Sequence, residues 1–322
     1  MTSGMILCGS RNIFTVRQDE TTNTLECRLK GKVLKNAEGF YNPLAPGDRV
    51  KIQTDPEQPG TGMILAMEGR KNIFSRFNQK GGCTQLIAAN VDQVLCITTR
   101  QSPPFRPRFL DRVLLQADIA EIPAIIVCNK IDLDDEAGHD DKLDANERLE
   151  DFRNIGYDLI EVSAKTGKGL NLLRQCIAGK RSVLTGQSGV GKSSILNALV
   201  PGLNIKTRAI NEKYDRGNHT TSLASMIELP EFSTGSSGGT WIIDTPGMRR
   251  FVPDGIGKEE LIVHMREFAP LAGKCTYGLS CSHRHEPGCK IMEAVHAGVI
   301  HEDRYESFLR IFDELAGNNN AD

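Results

Sequence analysis

The pattern of apolar and polar positions changes character twice along this chain of 322 residues. Up to about residue 80 the apolar positions fall in short runs, at 12–17, 24–30, 48–54 and 62–68, broken by Pro43, Pro46-Gly47, Pro56 and Pro59-Gly60. Short strands at this spacing predict a small all-β barrel. The length suits a five-stranded OB-type barrel, an architecture that often binds oligonucleotides. From about residue 90 strands and helices alternate. Strands are predicted at 92–99, 123–128, 160–163 and 181–185, and helices at 109–121, 143–154 and 169–178. In the first of these helices Leu110, Val113, Leu114 and Ala117 share one face. Two further strands, 223–229 and 240–244, are joined by a polar turn at 235–239. Such alternation implies a parallel, doubly wound sheet. Past 250 the period becomes helical, over 258–268, 291–297 and 302–315, and the small polar residues from Ala316 to the end are expected to be disordered. No internal repeat is evident. The resulting expectation is a multidomain α+β and α/β chain: a barrel over 1–85, a nucleotide-binding domain over 86–250 and a helical module over 251–322.

Composition adds few constraints. The net charge of −2 gives no global basic field. Residues 1–90 hold twelve Lys/Arg against eight Asp/Glu, and residues 131–158 hold eleven acids against three bases. The basic front end suits either a phosphate-rich partner or a solvated surface. Arg70, Lys71, Phe74, Arg76 and Phe77 mix charge with aromatic rings, as in a nucleic-acid face or simply an amphipathic final strand. Nine cysteines, six of them scattered singly, do not make a secreted disulfide framework. Cys96 and Cys128 lie in apolar runs and read as small buried hydrophobes. The start of the chain lacks signal-peptide character, and no apolar run approaches the ~20 residues of a membrane span, so a cytoplasmic protein with no membrane partner is expected.

The chemistry lies in four motifs. Gly186-Gln187-Ser188-Gly189-Val190-Gly191-Lys192-Ser193, with Ser194 opening an apolar helix behind it, is a phosphate loop. Its glycines let backbone N–H groups wrap phosphates at a helix N-terminus, Lys192 reaches the β/γ oxygens, and the Ser193 hydroxyl suits Mg²⁺. Asn129-Lys130-Ile131-Asp132 follows a buried strand. The Asp132 carboxylate can accept both guanine N1–H and N2–H₂ donors, an arrangement adenine lacks. Asn129 can bond the other edge of the base and the Lys130 stem can cover the ring. Ser163-Ala164-Lys165 would add a backbone N–H to the guanine carbonyl. Asp244-Thr245-Pro246-Gly247 supplies a second-sphere partner for Mg²⁺ and a Gly247 N–H that can sense the γ-phosphate. Met248 follows where many GTPases place a water-orienting Gln; a thioether cannot orient water, so slow unaided hydrolysis is expected. Between these motifs, one Thr of Asn218-His219-Thr220-Thr221, preferably Thr221 and otherwise Thr220, should complete the Mg²⁺ shell. His219 is either the side chain that handles the attacking water or an ordinary loop histidine. The order is the unusual feature: the base-reading motifs precede the phosphate loop, as though an ordinary GTPase had been cut and rejoined.

Cys275, Cys281, His283 and Cys289 form a Cys₃His set suited to one closed, tetrahedral structural Zn²⁺. His285 is a bystander to that set. A small helical module gains from such a staple because its core is small.

In this motif order, and in the run from Cys281 to Cys289, the chain resembles the RsgA (YjeQ) family of circularly permuted GTPases over nearly its whole length. Gly298, Arg304 and Tyr305 sit where that family's terminal helices carry similar residues. The resemblance implies an OB-fold binding ribosomal RNA, GTP hydrolysis to GDP stimulated by the small ribosomal subunit, a late role in maturation of that subunit, and water positioning by His219. A monomer is expected. Two departures stand out: Asn218 replaces a basic residue before the switch histidine, and the gap between Cys275 and Cys281 is one residue longer than usual. The alternative functions are an RNA-binding module that uses GTP as a structural ligand, and an ATP-type phosphotransferase, against which Asp132 speaks.

Overall fold

The computed structural model describes residues 1–10, 12–29, 39–133, 139–200, 202, 224–232 and 239–318. Five strands, β1 (Thr2–Ser10), β2 (Ile13–Gln18), β3 (Thr24–Leu29), β4 (Arg49–Thr54) and β5 (Thr61–Met67), close into a barrel in the order β1-β2-β3-β5-β4. All pairs are antiparallel except β3 with β5. Alternate residues point inward, and Ile6, Phe14, Val16, Leu25, Val50, Ile52 and Ile64 fill the interior. This is the OB-type barrel that the strand spacing predicts.

The barrel ends at Met67. β6 (Ile73–Asn78) and β7 (Cys83–Ala89) form a separate antiparallel hairpin, not a closing barrel strand. Phe74, Ile87 and Ala88 of this hairpin pack into the core of the following domain. The chain is thus regrouped across residue 85, where the sequence pattern alone set a boundary. The basic and aromatic cluster at 70–77 is largely consumed by this arrangement and does not form an open face. Arg70 makes a two-pronged ion pair with the buried Asp48, at 2.7 and 2.8 Å, and Phe74 is fully buried. Arg76 donates to Gln85 Oε1, and only Lys71 of the charged three stays mostly exposed. Gly47 holds φ +92°, and a Cβ there would lie 2.1 Å from the Ala89 carbonyl oxygen. Only glycine lets this turn of the barrel touch the hairpin.

The second domain is a six-stranded sheet in the order β10-β9-β8-β11-β13-β12. Its strands are β8 (Gln93–Thr99), β9 (Ala124–Asn129), β10 (Asp158–Glu161), β11 (Arg181–Gly186), β12 (Ser225–Glu228) and β13 (Trp241–Asp244). All neighbours are parallel except β12 with β13. Helices α1 (Pro107–Ile119), α2 (His139–Asn154), α3 (Leu170–Ile177) and α4 (Lys192–Leu199) pack on the two sides. The predicted face of α1, Leu110 with Val113, Leu114 and Ala117, is buried against the sheet, while Leu115 of the same helix joins the C-terminal core. From β8 the chain steps outward to β9 and β10, then returns to lay β11 on the other side of β8. Connections that run in opposite directions from neighbouring strands open a crevice at their carboxyl ends.

Past 250 the structure is more broken than the periodicity predicts. The helix expected over 258–268 reduces to α5 (Leu261–His264), because the apolar residues here, Leu261, Ile262, Met265 and Phe268, are needed around the cysteine cluster rather than along one stripe. α6 (Lys290–His296) and α7 (Glu302–Asn318) follow. α7 runs through Ala316 and Gly317 to Asn318, beyond the predicted helix end, and the remaining four residues lie outside the described ones. The buried Arg304 of α7 bonds Asp111 of α1 (2.7 Å) and Glu267 (2.5 and 2.9 Å), pinning the module to the sheet domain. No helix among the described residues is long and apolar enough to cross a membrane.

Candidate functional site

The four nucleotide motifs are scattered in sequence but share one position in the fold, the carboxyl end of a parallel strand. β9 ends at Asn129, β11 at Gly186 and β13 at Asp244, and Ser163 lies two residues past β10. Adjacent parallel strands in register bring these ends together whatever the order in which the chain visits them.

Asn129 joins three of them. Its side-chain amide donates to the Val190 carbonyl of the phosphate loop (2.9 Å), and its Oδ1 accepts the Ala164 N–H (3.2 Å). It is buried, so its loss would leave these partners unsatisfied at about 1–3 kcal/mol each. Lys130 Nζ donates to the Gly189 carbonyl (2.8 Å) and to the Ser102 carbonyl (2.6 Å). The Ser163 hydroxyl donates to Asp132 Oδ1 (2.6 Å), leaving the rest of that carboxylate able to accept. Lys165 is 3.8 Å from the other Asp132 oxygen and largely exposed, so that ion pair is weak. Gly191 adopts φ +93°, and a Cβ there would lie 2.4 Å from Asn129 Nδ2; the loop and the base-reading motif touch at a point where no side chain fits.

The phosphate loop joins β11 to α4. Gln187 and Val190 are buried, Ser188, Gly189 and Ser194 are exposed, and Ser193 is half-buried. Lys192 is buried and donates to the Gly186 (2.8 Å) and Gln187 (3.1 Å) carbonyls. Burial pushes its pKa down, opposed by the charge of Asp244. Burial pushes the Asp244 carboxyl up to about 6, opposed by Lys192. Asp244 Oδ1 has no hydrogen-bond partner although it is buried. A buried, unpartnered carboxylate oxygen within reach of the Lys192 charge suits the surroundings of a hydrated divalent cation. Gly247 packs against Ser188, and the Met248 N–H donates to the Gly186 carbonyl (3.3 Å), while the Met248 side chain is buried. His219, Thr220 and Thr221, with Asn218, lie outside the described residues.

The structure adds residues that the motifs did not reveal. The segment after β8 flanks the loop: Thr99 Oγ1 donates to the Pro103 carbonyl (2.8 Å), Pro103 lies against Gly189, and the Ser102 carbonyl receives Lys130. Backbone acceptors such as that of Ser102 carry no side-chain signature, so the sequence could not mark them.

In the C-terminal module Cys275, Cys281, His283 and Cys289 are all buried, with their ligand atoms within 4.8 Å of one another. Cys275 Sγ lies 3.9 Å from Cys289 Sγ and 3.6 Å from His283 Nδ1, which is 3.5 Å from Cys289 Sγ. A tetrahedral Zn²⁺ with bonds of about 2.3 Å to sulfur and about 2.0–2.1 Å to nitrogen implies edges of about 3.8 and 3.6 Å. The donor set fits. Burial pushes the Cys281 thiol up to about 12, so ionised thiolates here require a compensating cation. Burial holds the His283 imidazole below its usual pKa, which favours the neutral, ligating form. Glu286, which the sequence did not single out, shapes the loop between the ligands. It accepts the Ser282 N–H (2.8 Å) and hydroxyl, and the Arg284 N–H (3.0 Å). The hydroxyl bond is the largest of the contributions that hold its carboxyl well below the usual range. Tyr305 OH donates to the His283 carbonyl (2.6 Å), and Phe308 meets the imidazole edge-on.

The RsgA GTPase family model matches residues 67–252. The "Small ribosomal subunit biogenesis GTPase RsgA" of Moorella thermoacetica is 38% identical over 289 residues, covering 90% of this chain and 89% of the relative. The protein of the same name from Bacteroides fragilis is 34% identical over 312 residues, covering 97% and 96%. Among solved structures, YjeQ from Thermotoga maritima is similar with a TM-score of 0.71 and 32% identity, covering 98% of this chain and 99% of that one. YloQ, described as a circularly permuted GTPase, gives a TM-score of 0.65 at 27% identity, covering 98% and 96%. A GTP-hydrolysing enzyme on a permuted fold, the chain belongs to the RsgA GTPase family.

Proposed function

We infer that this GTPase acts in biogenesis of the small ribosomal subunit, hydrolysing GTP to GDP and phosphate while bound to that subunit and its ribosomal RNA late in maturation. Cytoplasmic location and a monomeric state belong to this reading. The relatives' names supply the subunit. The observation that carries the nucleotide assignment is the Asn129 junction, which makes one pocket of the phosphate loop and both base-reading segments.

In this pocket Asp132 accepts from the guanine edge, Asn129, Lys130 and the Ala164 N–H frame the base, and Gly186 to Ser194 with Lys192 hold the phosphates. Ser193 and Thr221 would hold Mg²⁺, with Asp244 behind; the ion would neutralise charge developing on the phosphates. The Gly247 N–H follows the γ-phosphate. With Met248 turned into the core, no side chain at that position orients the attacking water, which leaves His219 or a group from the partner for that role. The Cys₃His cluster would hold one structural Zn²⁺, all four positions being filled by protein.

Turnover measured with and without purified small subunits tests this reading. The isolated protein should hydrolyse slowly, and subunits should raise kcat by about a hundredfold or more, given that partner-supplied groups raise GTPase rates by about 10³–10⁵. Lys192→Ala should abolish both rates. Fast hydrolysis alone, or no response to subunits, contradicts the reading.

A further inference from the structure

A cleft of about 390 Å³ opens between the start of α1, Gln187 of the phosphate loop and the segment just after Met248. Five guanidinium groups line it: Arg106, Arg108, Arg112, Arg249 and Arg250. Three are already balanced by carboxylates of α7. Arg108 pairs with Glu306 (2.6 Å), and Arg112 and Arg250 share Glu314 (2.6 and 2.8 Å). Arg106 and Arg249 are exposed and make no ion pair among the described residues. Asp303 is the one acidic side chain in the lining. Phe105, half-buried, contributes an aromatic wall beside Arg106.

We propose that this cleft is an RNA contact, in which Arg106 and Arg249 each take a backbone phosphate and Phe105 offers a stacking surface to an unpaired base. Planar guanidinium groups match phosphate oxygens two at a time, and aromatic walls beside them accept bases without regard to sequence. The balanced arginines shape the cleft and leave two charges for the ligand. The position gives the contact a consequence. Arg249 lies two residues past Gly247, which packs on Ser188, and one past Met248, whose N–H bonds the Gly186 carbonyl. A phosphate held by Arg249 therefore acts on the strap that touches the phosphate loop, and RNA bound here bears on hydrolysis. The inference rests on the ribosomal reading above and assigns it a docking surface outside the barrel.

The test compares full-length wild type with R106Q/R249Q and with R153Q/K290Q, which removes two paired, exposed charges elsewhere. Binding to purified small subunits and to their protein-free RNA is measured over a salt series, with GTPase rates alongside. Each phosphate contact contributes about 0.7–0.9 to the slope of log K against log salt. R106Q/R249Q should lower that slope by about 1.4–1.8, weaken binding about tenfold or more, and reduce stimulated but not unstimulated hydrolysis; R153Q/K290Q should do neither. An unchanged slope overturns the proposal. So does weakened binding to intact subunits with unchanged binding to protein-free RNA, which would assign the cleft to an acidic protein. Wild type that ignores subunits altogether sinks the ribosomal reading, and this inference with it; a wild-type response kept by R106Q/R249Q sinks this inference alone.

Discussion

Replacing Asp132 by Asn should weaken GTP binding by between about a hundredfold and ten-thousandfold and transfer the preference to xanthosine triphosphate. In the folded protein Asp132 is positioned by the Ser163 hydroxyl, which donates to Oδ1. An Asn can keep that bond through its amide oxygen, so the side chain should stay in place. What changes is the group presented to the base. Guanine offers two N–H donors to this edge, and an amide NH₂ meets them with another donor. Two hydrogen bonds to a charged acceptor are worth about 1.5–3 kcal/mol each, which gives the range stated. Xanthine carries a carbonyl where guanine has its amino group and can accept from the new amide. Nucleotide affinities measured by competition decide the matter: equal loss of guanosine and xanthosine nucleotides would mean the variant merely unfolds the pocket, and no loss would remove Asp132 from the base site.

Removing the metal from the Cys₃His cluster should unfold the C-terminal module as a unit. Its apolar core is continuous with the cluster: Phe268, Ile291 and Phe308 pack around the three cysteines and His283. Without a cation, the buried thiols revert to neutral groups whose donors and acceptors are poorly matched, since the Cys281 thiol is pushed up to about 12 by burial. Structural Zn²⁺ contributes about 10–16 kcal/mol in isolated zinc-finger peptides. Here part of that should show as module stability, because Arg304 and Leu115 anchor the helices independently. One Zn²⁺ per chain should be released on thiol modification, and Cys289→Ser should abolish a cooperative unfolding transition while leaving guanine nucleotide binding within about threefold. A metal-stripped protein with an unchanged unfolding curve would show that the cluster is not a staple.

Local chemistry was more legible in this chain than long-range packing. The phosphate loop, Asp132 and the cysteine spacing announce themselves because each needs particular residue types at fixed separations. The strands of the parallel sheet were also readable, since β8 and β9 are buried on both faces and carry the apolar runs 94–97 and 124–128, while β11 is marked by Val183-Leu184 leading into the phosphate loop. The hairpin at 73–89 was not, because its alternation matches a last barrel strand equally well; what separates them is the packing of Phe74 and Ile87 on the sheet domain, a contact across many residues. The fate of Arg70 was hidden for the same reason: its partner Asp48 lies 22 residues away. The helix over 258–268 failed because periodicity reports a stripe, whereas these apolar residues surround the Cys₃His cluster from several directions. The sequence marks Asn129 as a candidate base contact, but its bonds to Val190 and Ala164 depend on strand register, which no single segment encodes.

Segments met in shuffled order along the chain should build one pocket selective for guanine. Calorimetric titration of the wild-type protein with GDP and with ADP under identical conditions tests this selectivity most directly. GDP should bind at least about a thousandfold more tightly, because adenine leaves the Asp132 carboxylate without donors. Comparable affinities for the two diphosphates would contradict it.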